Sequence, residues 1–152
     1  MAGDLYLVDS NILIRWVQPA DPGFPVVEAT IKQLERSRAV PCYTSQNLGE
    51  FWNVLTRPAN RNGYGLSPED ANDRAREVED GFRLLTDIPA VHQEWRKLLL
   101  DYRVSGVQVH DARLVAAMHV HGVKRILTFN KSDFLRFHDV QAFLPTDVLA
   151  NS

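Results

Sequence analysis

A single cysteine, Cys42, leaves no partner for an internal disulfide in this 152-residue chain. That excludes a disulfide-stapled secreted scaffold and fits a reducing compartment. No stretch approaches the roughly 20 consecutive apolar residues that a membrane helix needs. A charged leader followed by a long apolar core, the pattern of a signal peptide, is also missing. The expectation is a cytoplasmic protein with no membrane partner. Lysine is scarce, 4 residues against 13 arginines, and the net charge is only −2, so the chain lacks the strong basic excess that advertises a nucleic-acid binder. Internal repeats and low-complexity blocks are absent as well.

What is present reads as one globular domain over residues 1–152, with 45% hydrophobic and 24% charged residues. Charge is unevenly spread. "SPEDANDRAREVED" (67–80) holds six acids against two arginines, so the remainder of the chain is slightly basic. Arginine-rich basicity suits phosphate recognition, because the planar guanidinium forks onto oxyanions; scattered solubilising charge explains the same numbers.

"LYLV" (5–8) is a continuous apolar run and reads as a buried strand. "NILIRWV" begins a helix, and "QPADPGFP" (18–25), with three prolines, reads as a loop. Val27, Ile31 and Leu34 predict a helix over about 26–38. "VPCYT" (40–44) is a second strand, and Ser45 reads as the N-cap of a helix to Arg57. After the loop "PANRNGYGL" (58–66), Ser67, Pro68 and Asp70 signal a helix start, running towards Gly81. "FRLLT" (82–86) is a third strand, residues 90–102 a helix, and "HDARLVAAMHVHG" (110–122) a helix stopped by Gly122. "RILTF" (125–129) and "VQAFL" (140–144) complete the strands. Alternating strands and helices predict an α/β fold with a mostly parallel sheet covered on both faces.

Ligands of open α/β sheets bind beyond the carboxyl ends of the strands. Asp9 stands where "LYLV" ends; Asn130 stands where "RILTF" ends, with Asp133 three residues on. Glu50 borders the apolar stripe of its helix, and Asp111 heads the stripe Asp111, Leu114, Val115 and Met118. A buried lone carboxylate costs several kcal/mol and needs a partner. Taken singly, each acid has a structural explanation. Asp9 can form an Asx turn, Glu50 can be solvated, Asp111 can be a first-turn acid and Asp133 can cap "FLRF". Four acids predicted at one sheet edge suggest a shared cation. The histidines show no zinc spacing, and Trp16, Trp52, Trp95 and Cys42 read as core. Tyr64 reads as an exposed loop residue.

"LYLVDSNIL", "NLGEFWNVLTR", "VHDARLVAAM" and "ILTFNKSDF", in this order, resemble the PIN-domain family, and most closely its VapC-like toxin branch. The loop "RPANRNGYGLS" resembles that branch too. The likeness runs from near the N-terminus to about Leu144. It implies a three-layer α/β/α sandwich around a mostly parallel sheet and a metal-dependent ribonuclease site. By motif position, Asp9, Glu50, Asp111 and Asp133 would be the catalytic and metal-binding acids, with Asn130 as an alternative fourth ligand. Ser10, Asn11 and Asn130 would shape the site. The branch further implies an RNA substrate, a small antitoxin partner that inserts an arginine near the carboxylates, and a homodimer.

Carboxylates are hard oxygen ligands suited to Mg²⁺ or Mn²⁺. Arg57, Arg61, Arg113 and Lys131 are candidate RNA phosphate contacts, which position a substrate without reading its sequence. Three rivals stand beside this expectation: another metal-dependent phosphoryl hydrolase such as a phosphatase, a metal-holding receiver-like signalling domain, and a non-catalytic RNA- or protein-binding module. An aspartyl-phosphate mechanism usually wants a second Asp two residues after the first, and Asn11 occupies that position.

Overall fold

The computed structural model describes residues 3–151. Five strands, β1 (Leu5–Val8), β2 (Val40–Thr44), β3 (Arg83–Leu85), β4 (Arg125–Leu127) and β5 (Gln141–Phe143), form one sheet in the order β3-β2-β1-β4-β5. Every ladder is parallel, from Leu5 opposite Val40 in β1–β2 to Leu127 opposite Phe143 in β4–β5. The expected α/β/α sandwich is therefore present, and its sheet is parallel throughout the described residues.

The helices are α1 (Ser10–Trp16), α2 (Phe24–Arg36), α3 (Ser45–Thr56), α4 (Pro68–Gly81), α5 (Pro89–Asp101), α6 (Gln108–His121) and α7 (Pro145–Ala150). Alternate strand residues feed two cores because successive side chains point to opposite faces. Val8, Tyr43 and Leu127 join α1, α2, α3, α4 and α7. Leu7, Cys42 and Ile126 join α5 and α6 on the other face. Strands with apolar neighbours on both faces have no polar side to show, hence the unbroken run in β1. His119 ties the second layer together: its Nδ1 lies 2.6 Å from Glu94 of α5 and its Nε2 lies 2.8 Å from Asp139, just before β5. No described helix is long and apolar enough to cross a membrane.

Several expected boundaries move, each for a local reason. α2 begins at Phe24 because Pro25 sits in its first turn, where a missing N–H costs nothing. The N-cap of α3 is Thr44, not Ser45: Thr44 is extended, and its hydroxyl accepts the Asn47 N–H at 3.1 Å while Asn47 Oδ1 accepts the Thr44 N–H at 3.0 Å. α6 begins at Gln108, two residues early. The last expected strands shorten, so Thr128 and Phe129 lie beyond β4. α7 answers no feature singled out in the sequence; its Asp147 accepts the Leu144 N–H at 2.8 Å. Tyr64 is half-buried against the first core, and its hydroxyl donates to Asp21 at 2.8 Å.

The strand order sets the position of the site. From β1 the chain steps outward to β2 and β3, then returns to place β4 on the other side of β1. The connections on either side of β1 thus diverge, leaving a crevice above the carboxyl ends of β1 and β4.

Candidate active site

Asp9 follows β1 with no intervening loop and is itself the N-cap of α1. Its Oδ1 accepts the Ser10 N–H at 2.8 Å, which occupies a helix-terminal donor that would otherwise be orphaned. Its Oδ2 accepts the Thr128 hydroxyl at 2.8 Å. The residue is only 7% exposed. Burial pushes its pKa above the ordinary carboxylate range and the Glu50 charge adds to the rise, while the Thr128 and Ser10 hydrogen bonds oppose it.

Glu50 lies in the second turn of α3 and is half-buried. Ser10 Oγ donates to its Oε2 at 2.7 Å, so one serine joins the first two acids. Gln46, one turn earlier, donates to Glu50 Oε1 at 3.3 Å and to the His110 carbonyl at 2.9 Å. Those two bonds use both hydrogens of one amide nitrogen. They join the start of α3 to the start of α6, helices from opposite faces that meet over the sheet edge.

Asp111 sits in the first turn of α6, half-buried. Its pKa is pushed up to about 6 by burial first, then by the charges of Asp133, Asp9 and Glu50; His110 opposes the rise. Hydrogen bonds tie Asp9 to Glu50 through Ser10, Glu50 to the start of α6 through Gln46, and Asp9 to the segment after β4 through Thr128, so the four acids lie on segments that meet at one end of the sheet. Asp133 lies in a 3-10 turn, Lys131–Phe134, beyond β4. No described hydrogen bond reaches the carboxylate of Asp111 or Asp133. Asn130 is exposed, and its N–H donates to Thr128 Oγ1 at 3.0 Å. Asn11 Oδ1 accepts the Phe129 N–H at 3.3 Å, and its Nδ2 lies 3.5 Å from Thr128 Oγ1.

Among the described residues, no lysine or arginine makes an ion pair with any of the four acids. The N-termini of α1 and α6 bring partial positive charge to Asp9 and Asp111, worth about 0.3–1 kcal/mol each. That is small against the cost of gathering four carboxylates. The chemistry of the donor set therefore fits a divalent cation. Among the described residues, no three or more His, Cys, Asp or Glu side chains stand close enough together to hold a metal ion as they are placed.

The expected phosphate contacts are less concentrated. Arg113 donates to Asp87 at 2.6 Å and lies over the Trp95 ring. Lys131 donates to Asp147 at 3.0 Å. Arg57 folds back onto the Asn62 carbonyl at 2.9 Å, and Arg61 is exposed in the same loop. Thr128 and Gln46 were not singled out in the sequence. Thr128 is an ordinary strand residue by type, and only the β1–β4 pairing sets it against Asp9.

Residues 6–140 match the family model described as the PIN domain. No curated protein matches. Solved structures of similar fold include VapBC2 from Rickettsia felis, bound to a DNA fragment from its promoter. It has a TM-score of 0.70 and 10% identity, and covers 92% of this chain and 98% of that one. VapC20 of Mycobacterium tuberculosis, a toxin that cleaves the sarcin–ricin loop, has a TM-score of 0.63 and 17% identity, covering 88% and 95%. A toxin–antitoxin complex from Klebsiella pneumoniae has a TM-score of 0.63 and 17% identity, covering 92% and 97%. At these identities the likeness is one of fold.

Proposed function

The chain belongs to the PIN domain family, and from that premise we propose that it is a Mg²⁺- or Mn²⁺-dependent endoribonuclease, the toxin of a toxin–antitoxin pair. The observation that carries this reading is that Ser10 joins Asp9 to Glu50 at the end of β1, on segments that meet those of Asp111 and Asp133, and that among the described residues no lysine or arginine pairs with any of the four. The fold likeness to a toxin that cleaves RNA and to a toxin–antitoxin complex supports it.

Asp9 and Asp111 would hold the principal ion directly, and Glu50 and Asp133 would complete its shell through water or hold a second ion. The fourth position falls to Asp133 or to Asn130, both on the segment that follows β4. Bound there, a divalent cation supplies a water of lowered pKa and stabilises charge on a phosphoryl oxygen. The protein's own part is to hold the carboxylates in register. Ser10 bridges Asp9 and Glu50, Thr128 fixes the second oxygen of Asp9, and Gln46 steadies Glu50 against α6. The Ser10 and Thr128 hydroxyls serve as hydrogen-bond donors to the carboxylates, and water is the attacking group in the proposed cleavage of an RNA phosphodiester. A cytoplasmic setting, a homodimer and an antitoxin that masks the acids with an arginine belong to the same proposal. Arg57, Arg61, Arg113 and Lys131 would contribute backbone phosphate contacts from the rim.

Purified protein incubated with RNA should cut it in Mg²⁺, stop in EDTA, and stop in an Asp9→Asn variant that melts normally. Intact RNA in every lane, from folded protein, would leave a non-catalytic binding module as the answer. Turnover of a phosphomonoester instead would indicate a phosphatase.

A further inference from the structure

A second feature lies at the α1 side of the same crevice. Arg15 is one turn beyond Asn11 on α1, and its side chain leans back along the helix so that Nη1 donates to the Asn11 carbonyl at 2.7 Å. The guanidinium lies over the Phe129 ring, 4.9 Å from its centroid. Phe129 is held there by Asn11 Oδ1 and directly follows Thr128, the residue bonded to Asp9. Arg15 is therefore held beside Phe129 by backbone and ring contacts, neither of which neutralises its charge. Among the described residues it pairs with one acid, Asp21, 3.8 Å from Nε. Asp21 Oδ1 already accepts the Gly23 N–H at 2.8 Å, and its Oδ2 accepts the Tyr64 hydroxyl at 2.8 Å. The Arg15 side chain is 37% exposed, and its Nη2 has no hydrogen-bond partner among the described residues.

We infer that Arg15, stacked on Phe129, is a phosphate-binding residue for the RNA strand running out of the acidic crevice along α1. The inference rests on the nuclease reading above. Arg113 and Lys131, rim contacts in that reading, are each paired with a carboxylate at 2.6 and 3.0 Å and would have to exchange it for phosphate; Arg15 is oriented and only loosely paired. Orientation matters because an arginine already held in place loses little side-chain entropy when it binds. The contact positions the strand and carries no sequence preference.

The test uses full-length protein in an Asp9→Asn background with fixed Mg²⁺, so that RNA stays intact, and a labelled single-stranded RNA of randomised sequence as the probe. Binding is measured by fluorescence anisotropy across a KCl series. Arg15→Gln should weaken binding about fivefold and flatten the plot of log affinity against log salt by up to about 0.7. Arg15→Lys should restore the slope, and Arg96→Gln, an exposed site on α5, should leave it unchanged. Asp21→Asn, which removes the competing charge, should tighten binding. That sign separates a phosphate contact from a mere tie between α1 and the 18–23 loop. Wild-type protein that cleaves RNA and an Asp9→Asn parent that binds it, with Arg15→Gln and Asp21→Asn both leaving affinity and slope untouched, overturn the Arg15 assignment alone. Should Arg15→Gln fail to fold, Asp21→Asn decides by itself: unchanged or weaker binding overturns the assignment. Folded wild-type protein that does not cut RNA in Mg²⁺, together with an Asp9→Asn parent that does not bind it, overturns the nuclease reading and this inference with it.

Discussion

At Asp111, folding opposes charge. Burial and three neighbouring acids raise its pKa from the ordinary 3.8 to about 6, so between those values the native state holds more protons than the unfolded one. Stability from this group is fully present below about pH 4 and is lost as pH rises through about 6. Asp111→Asn removes the penalty. In EDTA above pH 7 the variant should melt about 2–4 °C above wild type, after the half-exposed position is discounted to about 1 kcal/mol. The gap should close towards pH 4. Mg²⁺ should raise the melting temperature of the wild type and barely move the variant, since only the native carboxylate cluster gains from the ion. Thermal melts with and without chelator across that range check this, and a variant that melts no higher than wild type in EDTA at pH 8 would count against a strained cluster. The four acids were legible in the sequence because each interrupts or heads an apolar pattern. Thr128 and Gln46 were not: a threonine near a strand and a glutamine on a helix are ordinary there, and their value comes only from what stands opposite.

Among the elements, the junctions with no loop matter most. β1 runs directly into α1 through Asp9, and β2 into α3 through Thr44, so the last extended residue also caps the helix. This is why a buried strand can end on a carboxylate: the helix behind it supplies the N–H that makes an acid acceptable there. Thr44→Ala removes the hydroxyl half of the capping box, leaving Asn47 Oδ1 to accept the backbone N–H, and should cost about 1–2 kcal/mol, whereas Ser45→Ala should fall within about 0.5 kcal/mol. Equal losses in urea denaturation would return the cap to Ser45. The same chemistry explains which boundaries the sequence displayed. Ser67 and Pro68 mark the start of α4, and Gly122, left-handed at φ 70°, marks the end of α6. The start of α6 has no side-chain cap to announce it, and α7 has only six residues, too few for an apolar stripe to repeat.

Across the whole molecule, β1 is the central strand and carries both the cores and the first acid. Leu7 is fully buried, packed with α5 and α6. Leu7→Ala should cost about 2–5 kcal/mol and should lower Mn²⁺ affinity at temperatures where the protein remains folded, because Asp9 is two residues on. Leu100→Ala, at an exposed site, should change neither. Denaturation and Mn²⁺ titration distinguish the two; an unaltered Mn²⁺ affinity in folded Leu7→Ala would separate the strand's packing from the site. The sequence by itself determined the alternation of strand and helix, the double-sided burial of the sheet and the acids at strand and helix ends, because periodicity and capping act over a few neighbouring residues. The strand order β3-β2-β1-β4-β5, and with it the crevice where Asp9 meets Thr128 119 residues away, was decided only by tertiary structure. Parallel strands pair through crossovers, and nothing local to either strand records which backbone its hydrogen bonds will find.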